Sequence, residues 1–280
     1  MNEVEVAALC EIADPQERAA RAHELVGRYQ AAVSELSRIR REALEELTAT
    51  GKTQAQLAEI LGVTRTRIGQ ILSSGPRSER AFLGTGPLTV ALGAKREADK
   101  PIPSPVVAQE DFNAYESLSA LARTVGLDTR YELIQPPGML DLNRENLVVI
   151  CGPRLSPLLA QLLASDPNLA FERDGTGWYL LDRAAGQIYR SPMDHNQTSD
   201  FAYLGRLPRL DGRGTFLYMA GIHAAGAAGA IHFLAENLAD AYREVRNKRF
   251  STVIRCAYDP ATREITESER VSPYYRPDGA

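Results

Sequence analysis

Apolar and small residues recur three and four positions apart through residues 15 to 48: Ala19, Ala22, Leu25, Val26, Tyr29, Val33, Leu36, Ile39, Leu44 and Leu47. That spacing predicts one long amphipathic helix, with Pro15 at a permitted first-turn position and Gly27 the point where it would break. A stripe of this length cannot be buried against two short helices, so its first half is expected to pack on the rest of the chain or on a second copy. From about residue 80 the pattern changes to short apolar runs. PLTVAL, TRYELI, ENLVVI, FAYLGRLPR and TFLYMAG predict strands, AQEDFNAYESLSALARTVGL and HAAGAAGAIHFLAENLADAYREV predict helices, and FSTVIRCAYD with REITESERV closes as a hairpin. Between them, FERDGTGWYLLDRAAGQIYRS predicts short antiparallel strands joined by Gly turns. Strands alternating with helices predict a three-layer α/β domain over residues 80–280, with a mixed, mostly parallel sheet and a β-rich insertion. The polar, Pro-containing KREADKPIPSP predicts a mobile loop at about 94–107.

The segment Thr53 to Leu72, TQAQLAEILGVTRTRIGQIL, has small, apolar and turn-forming residues where two helices crossing at a tight turn need them. With Gln54 as the first position, Ala58 is fifth, where a small side chain lets the helices approach. Gly62 is ninth, where the turn wants positive φ, and Ile68 and Ile71 face back into the core. Leu57, Leu61 and Val63 complete the apolar set, and Thr53 and Thr64 are N-cap residues. Thr64, Arg65, Thr66, Gly69 and Gln70 are left on the outer face of the second helix, with Arg67 close by. Arg pairs with guanine and Gln with adenine, while Thr and backbone N–H groups hold phosphates. Arg38, Arg40 and Arg41 lie near enough in sequence to add phosphate contacts.

This segment resembles the helix-turn-helix family, in particular sigma-factor region 4 and bacterial regulators in which a long helix precedes the motif. The resemblance implies an all-α DNA-binding domain over residues 1–79, double-stranded DNA as partner and a homodimer on a two-fold site. The expected fold class is therefore α followed by α/β, the second domain Rossmann-like.

Composition narrows the classes. A net charge of −4 excludes a wholly basic nucleic-acid coat but not a small basic head, and basic residues outnumber acidic ones from Arg38 to Arg80. Cys10, Cys151 and Cys256 are far apart, so neither a disulfide framework nor a zinc site is expected, which fits a reducing cytoplasm. The acidic start MNEVEVAALCEIADP lacks the basic region of a signal peptide, and FLYMAGIHAAGAAGAIHFLA breaks into strand, turn and buried helix.

Two Gly-rich turns each follow an apolar strand and open a helix: Cys151-Gly152-Pro153-Arg154-Leu155-Ser156-Pro157 and Ala220-Gly221-Ile222-His223-Ala224-Ala225-Gly226. Helix N-termini with glycine favour an anion, so Gly152, Pro153, Arg154, Ser156, Gly221, His223 and Gly226 are candidate ligand-binding residues. Asp194 and Arg206 join them from YRSPMDHNQTSDFAYLGRLPR, a candidate lid that also carries His195 and Asp200. Neither turn is a Walker A sequence or a dinucleotide fingerprint, and no acid, base or nucleophile spacing matches a known motif. No catalytic residue, metal site or obligatory cofactor is assigned, and Trp178 is assigned to the core. As a whole the chain resembles bacterial one-component regulators, which implies a transcriptional regulator whose α/β domain senses a small anionic, nucleotide-like effector. The alternative is a nucleotide- or NAD-processing enzyme or effector using the same crevice.

Overall fold

The computed structural model describes residues 3–97, 102 and 104–277, and the chain divides into two compact units, Met1–Ser78 and Glu79–Ala280. The first holds α1 (Glu3–Cys10), α2 (Pro15–Ala49), α3 (Gln54–Leu61) and α4 (Arg65–Ser74). Asp14 caps α2 by accepting from Gln16 N–H, with Pro15 in the first turn. Gly27 does not break this helix. A Cβ there would touch nothing within 4 Å, and one exposed glycine costs only about 1 kcal/mol of helix propensity.

The ends of α3 and α4 are set by local hydrogen bonds. Thr53 and Gln56 form a reciprocal capping box, Gly62 ends α3 at φ +62°, and the Thr64 hydroxyl accepts from Arg67 N–H at 3.1 Å to start α4. Leu44 of α2, Leu57 and Ala58 of α3, and Ile68 and Ile71 of α4 form the core, with Leu47 and Leu72 against it. Leu61 and Val63 do not complete this set. They flank the left-handed Gly62, and the reversal leaves them 39% and 38% exposed. Val26, Val33, Leu36 and Ile39 of α2 are also exposed.

The second unit begins with α5 (Arg80–Leu83) and continues β1 (Leu88–Gly93), β2 (Lys95–Arg96), β3 (Pro105–Val106), α6 (Gln109–Thr124), β4 (Thr129–Ile134), β5 (Leu147–Ile150) and α7 (Pro157–Ala164). Then come β6 (Leu169–Asp174), β7 (Gly177–Asp182), β8 (Gln187–Arg190), β9 (Ser199–Pro208), β10 (Thr215–Gly221), α8 (Ala224–Val245), β11 (Phe250–Tyr258) and β12 (Ile265–Arg270). Seven strands form one mixed sheet in the order β12-β11-β9-β10-β5-β1-β4. The pairs β4–β1, β1–β5 and β5–β10 are parallel, whereas β10–β9, β9–β11 and β11–β12 are antiparallel. The sheet is thus evenly split, not mostly parallel. The connections at 209–214 and 259–264 are too short for a parallel crossover, so each joins antiparallel neighbours.

Alternate residues of the buried strands face opposite cores. Leu88, Val90, Leu92, Val148 and Ile150 meet α5, α6 and α8, while Ala91, Leu147 and Val149 meet α7 and the separate three-stranded sheet β6-β7-β8. Within the loop expected at 94–107, residues 98–101 and 103 lie outside the described residues, and the flanks pair as the short ribbon β2–β3. Among the described residues no helix is long and apolar enough to cross a membrane.

Ile68→Ala is expected to destabilise the first unit by about 2–5 kcal/mol, since it empties a fully buried site. Ile60→Ala, on the same helix pair but 57% exposed, should change stability by less than about 0.5 kcal/mol. Urea denaturation followed by far-ultraviolet circular dichroism distinguishes the two.

Candidate functional site

The connection leaving β1 passes through α6 on one face of the sheet, whereas the connection leaving the adjacent β5 passes through α7 on the other. Crossovers that diverge to opposite faces leave a crevice outside the carboxyl ends of the two strands, the usual ligand position in open α/β sheets. Lys95 lies just beyond β1, Asp111 is in the first turn of α6, Cys151, Gly152 and Arg154 follow β5, and Gly221 and His223 follow β10. All of these line one cleft. Four candidates read from the sequence, Gly152, Arg154, Gly221 and His223, are therefore brought together. A second, smaller cleft shares Gly152, Arg154 and Gly221, and adds Pro153, Ile222, Phe171 and Trp178.

The two glycines serve different ends. A Cβ on Gly221 would lie 1.9 Å from the His223 carbonyl and 2.8 Å from Gly226 Cα, so close packing of the turn excludes any side chain. A Cβ on Gly152 would meet only the Arg154 side chain, at 3.8 and 3.9 Å. Packing alone thus does not require glycine at 152, whose carbonyl accepts from Leu155 N–H at 3.0 Å. Among the described residues neither the Lys95 nor the Arg154 side chain forms an ion pair or a hydrogen bond, and the carboxyl of Asp111 shares the cleft with both cations.

The first turn of α8 is already occupied. The Asp200 carboxylate accepts from the N–H groups of His223 and Gly226, both at 2.9 Å. Burial pushes Asp200 up to about 6, against the opposing pull of the Ser191 hydroxyl and the His223 N–H. The helix N-terminus expected to receive a ligand anion therefore holds the chain's own, and Gly226 has no N–H to offer. His223 Nε2 lies 2.9 Å from Asp194 Oδ1, and both side chains are about one-third exposed. That contact ties the short turn Pro192–His195 to the cleft; the rest of the supposed lid, from Ser199 on, is the central strand β9.

Two further candidates are structural. Ser156 is fully buried, donates its hydroxyl to the Gly138 carbonyl at 2.6 Å and accepts from Leu159 N–H to cap α7. Arg206 is buried beside the ring and carbonyl of Phe82, and burial without an acidic neighbour lowers it to about 10. It is four ladder positions from Ala202, which pairs with Gly221, or about 13 Å from the crevice. The turn around Ser156 and the polar segment around Arg206 carry no local sign of this burial.

Lys95, Asp111 and Trp178 were not identified from the sequence as site residues. Lys95 sat in a presumed loop and Asp111 in an ordinary acidic first turn, and nothing local marks either. Trp178 is partly buried, packs against the second core cluster and also lines the smaller cleft. Asp111 is pushed up to about 6 by burial, with Lys95 and Arg154 opposing and Glu110 adding to the rise. The Cys151 thiol, pushed up to about 12 by burial, stays protonated and is no nucleophile. A larger groove of about 730 Å³ lies between α6 and α8, and two of its polar groups are engaged: Arg263 bonds Glu110 and His232 bonds Ser268.

On α4, Thr64, Arg65, Thr66, Arg67 and Gln70 are exposed, and Gly69 has nothing within 4 Å of the Cβ position. Arg67 donates to Gln70 Oε1 at 3.2 Å. Arg40, Arg67 and Gln70 border a hollow of about 360 Å³ with Ser37 and Ser74. Arg38 is unsuited to phosphate contact, being buried between Glu35 and Glu42, and Arg41 is engaged with Glu45 and the Gly75 carbonyl. No protein-family model, curated protein or solved structure matches the chain.

A carboxyl whose folded pKa is raised destabilises the native state once it must ionise. Stability from Asp111 is full below pH 4 and falls as pH rises through about 6. Asp111→Asn should therefore match the parent near pH 4 and exceed it by up to about 3 kcal/mol at pH 7. Urea melts at the two pH values measure this, and equal stability at both would show that the burial cost is offset.

Proposed function

We propose that the chain is a DNA-binding transcriptional regulator: a helix-turn-helix head, and a Rossmann-like body that binds a small anionic, nucleotide-like effector at the β1–β5 crevice. What carries the first half is the outer face of α4. Thr64, Arg65, Thr66, Arg67 and Gln70 stand exposed on a helix whose opposite side is pinned by Ile68 and Ile71, the arrangement that lets a recognition helix enter the major groove. The Arg67–Gln70 hydrogen bond orients the Gln70 amide, and Arg40 adds a cation beside it. For the second half, Lys95 and Arg154 supply positive charge at a topological switch point.

The proposed assembly is a homodimer. The stripe of α2 covered at Leu44 and Leu47 continues uncovered through Val26, Val33, Leu36 and Ile39, an apolar face suited to a second copy. Conversion of the effector is the second reading, favoured by Asp111, a carboxyl poised near neutrality in the cleft. Recovery of the bound compound unchanged after prolonged incubation supports the sensor, and a new product supports the enzyme.

Arg65→Ala and Gln70→Ala should each weaken sequence-specific DNA binding by roughly 1–3 kcal/mol without altering the fold. Fluorescence anisotropy at fixed salt, using duplexes selected from a random library by the parent protein, provides the measurement. If the parent selects no sequence, or both variants bind the selected duplex as tightly as the parent, α4 does not read bases.

A further inference from the structure

We infer that the two adjoining clefts form one nucleotide site, in which a planar base lies against Trp178 and its phosphate lies between Lys95 and Arg154. This rests on the sensor reading above and names the chemistry of its ligand.

The clefts differ in character but share a wall. The larger is bordered by Lys95, Asp111, Arg154 and His223, and the smaller by Phe171, Trp178, Pro153 and Ile222, with Gly152, Arg154 and Gly221 common to both. A ligand spanning them needs an anionic end and a flat apolar end joined by a short linker. A nucleotide has that form, since an aromatic side chain stacks any base and Arg or Lys holds a phosphate. Gly152 stands between the two ends, where a sugar would pass. The α8 N-terminus is not available to the phosphate because Asp200 holds it, so recognition falls to the two side-chain cations.

The clefts are shallow and open to solvent, at about 20 and 10 Å³, so a nucleotide would lie across them rather than sink into them. Arg154 is exposed and unpaired among the described residues, and folds back over Gly152, while His223 is held across by Asp194.

Trp178 is the only tryptophan in the chain, so intrinsic fluorescence reports this position alone. The full-length protein is titrated with AMP, GMP, CMP and UMP, with the corresponding nucleosides, and with inorganic phosphate. At least one monophosphate should change the Trp178 emission saturably, its nucleoside should need at least about tenfold more, and Arg154→Ala and Lys95→Ala should each raise the Kd about tenfold. Trp178→Phe, followed by thermal shift, should weaken the same nucleotide while leaving the melting temperature without ligand nearly unchanged.

The inference is overturned if none of the four monophosphates alters the emission up to millimolar concentration. It is equally overturned if a nucleotide stabilises the protein against heat with no change at Trp178, or with affinity indifferent to both cation substitutions. Should inorganic phosphate stabilise the protein in an Arg154-dependent way while no nucleotide does better, the anion-sensing reading survives and the base subsite falls. If neither phosphate nor any nucleotide stabilises it, both fall.

Discussion

The Asp200 carboxylate, sealed under the first turn of α8, is the interaction on which the C-terminal unit turns. One oxygen takes the N–H groups of His223 and Gly226, and in doing so ties the start of β9 to the end of β10 and the beginning of α8. The contact works only because two glycines face each other: a Cβ on Gly221 or on Gly226 would come within 2.8 Å of the other's Cα. A charge in this position is costly to bury, which is why the carboxyl is pushed up, but the helix terminus and its free N–H groups offset much of that cost. The long apolar face of α8, from Ala225 to Val245, is thereby aimed along the sheet and covers β9, β10 and β11.

Occupation of the α8 terminus by Asp200 leaves the neighbouring crevice to other groups. With the α8 terminus satisfied, the crevice at the β1–β5 switch is left with cations from side chains and with Gly152. Its acids are Asp111, which shares the cleft with both cations, and Asp194, 2.9 Å from His223 Nε2. The electrostatics of the cleft thus follow from which carboxylate the fold chose to bury.

Elements with strong local signals were readable in the sequence. The caps at Thr53 and Thr64, the turn at Gly62, the buried runs of β1, β5 and β10 and the Gly-joined strands β6 to β8 all lie where residue type and period placed them. Features that depend on distant partners were not. The parallel and antiparallel halves of the sheet are decided by which strand lies between β10 and β11, and no pattern within either strand records that β9 does. Arg206 and Ser156 carry ligand-binding chemistry but lie in buried structural positions. Lys95 and Asp111 are unremarkable in sequence and meet the cleft only because β1 and α6 deliver them there. Gly27, read as a possible break, sits on an open face of α2 where nothing exploits its flexibility.

The meander β6–β8 is a small sheet of its own, inserted between α7 and β9 and hydrogen-bonded to itself rather than to the seven-stranded sheet. Yet Phe171 and Trp178, the aromatic side chains of the smaller cleft, both come from it, while Gly152, Arg154 and Gly221 come from the edge of the main sheet. The aromatic wall and the charged wall therefore belong to separately bonded structures. Substitutions along β6 and β7 can reshape the first without disturbing a single backbone pairing of the second, so this architecture leaves the aromatic wall free to diverge while the charged wall stays fixed.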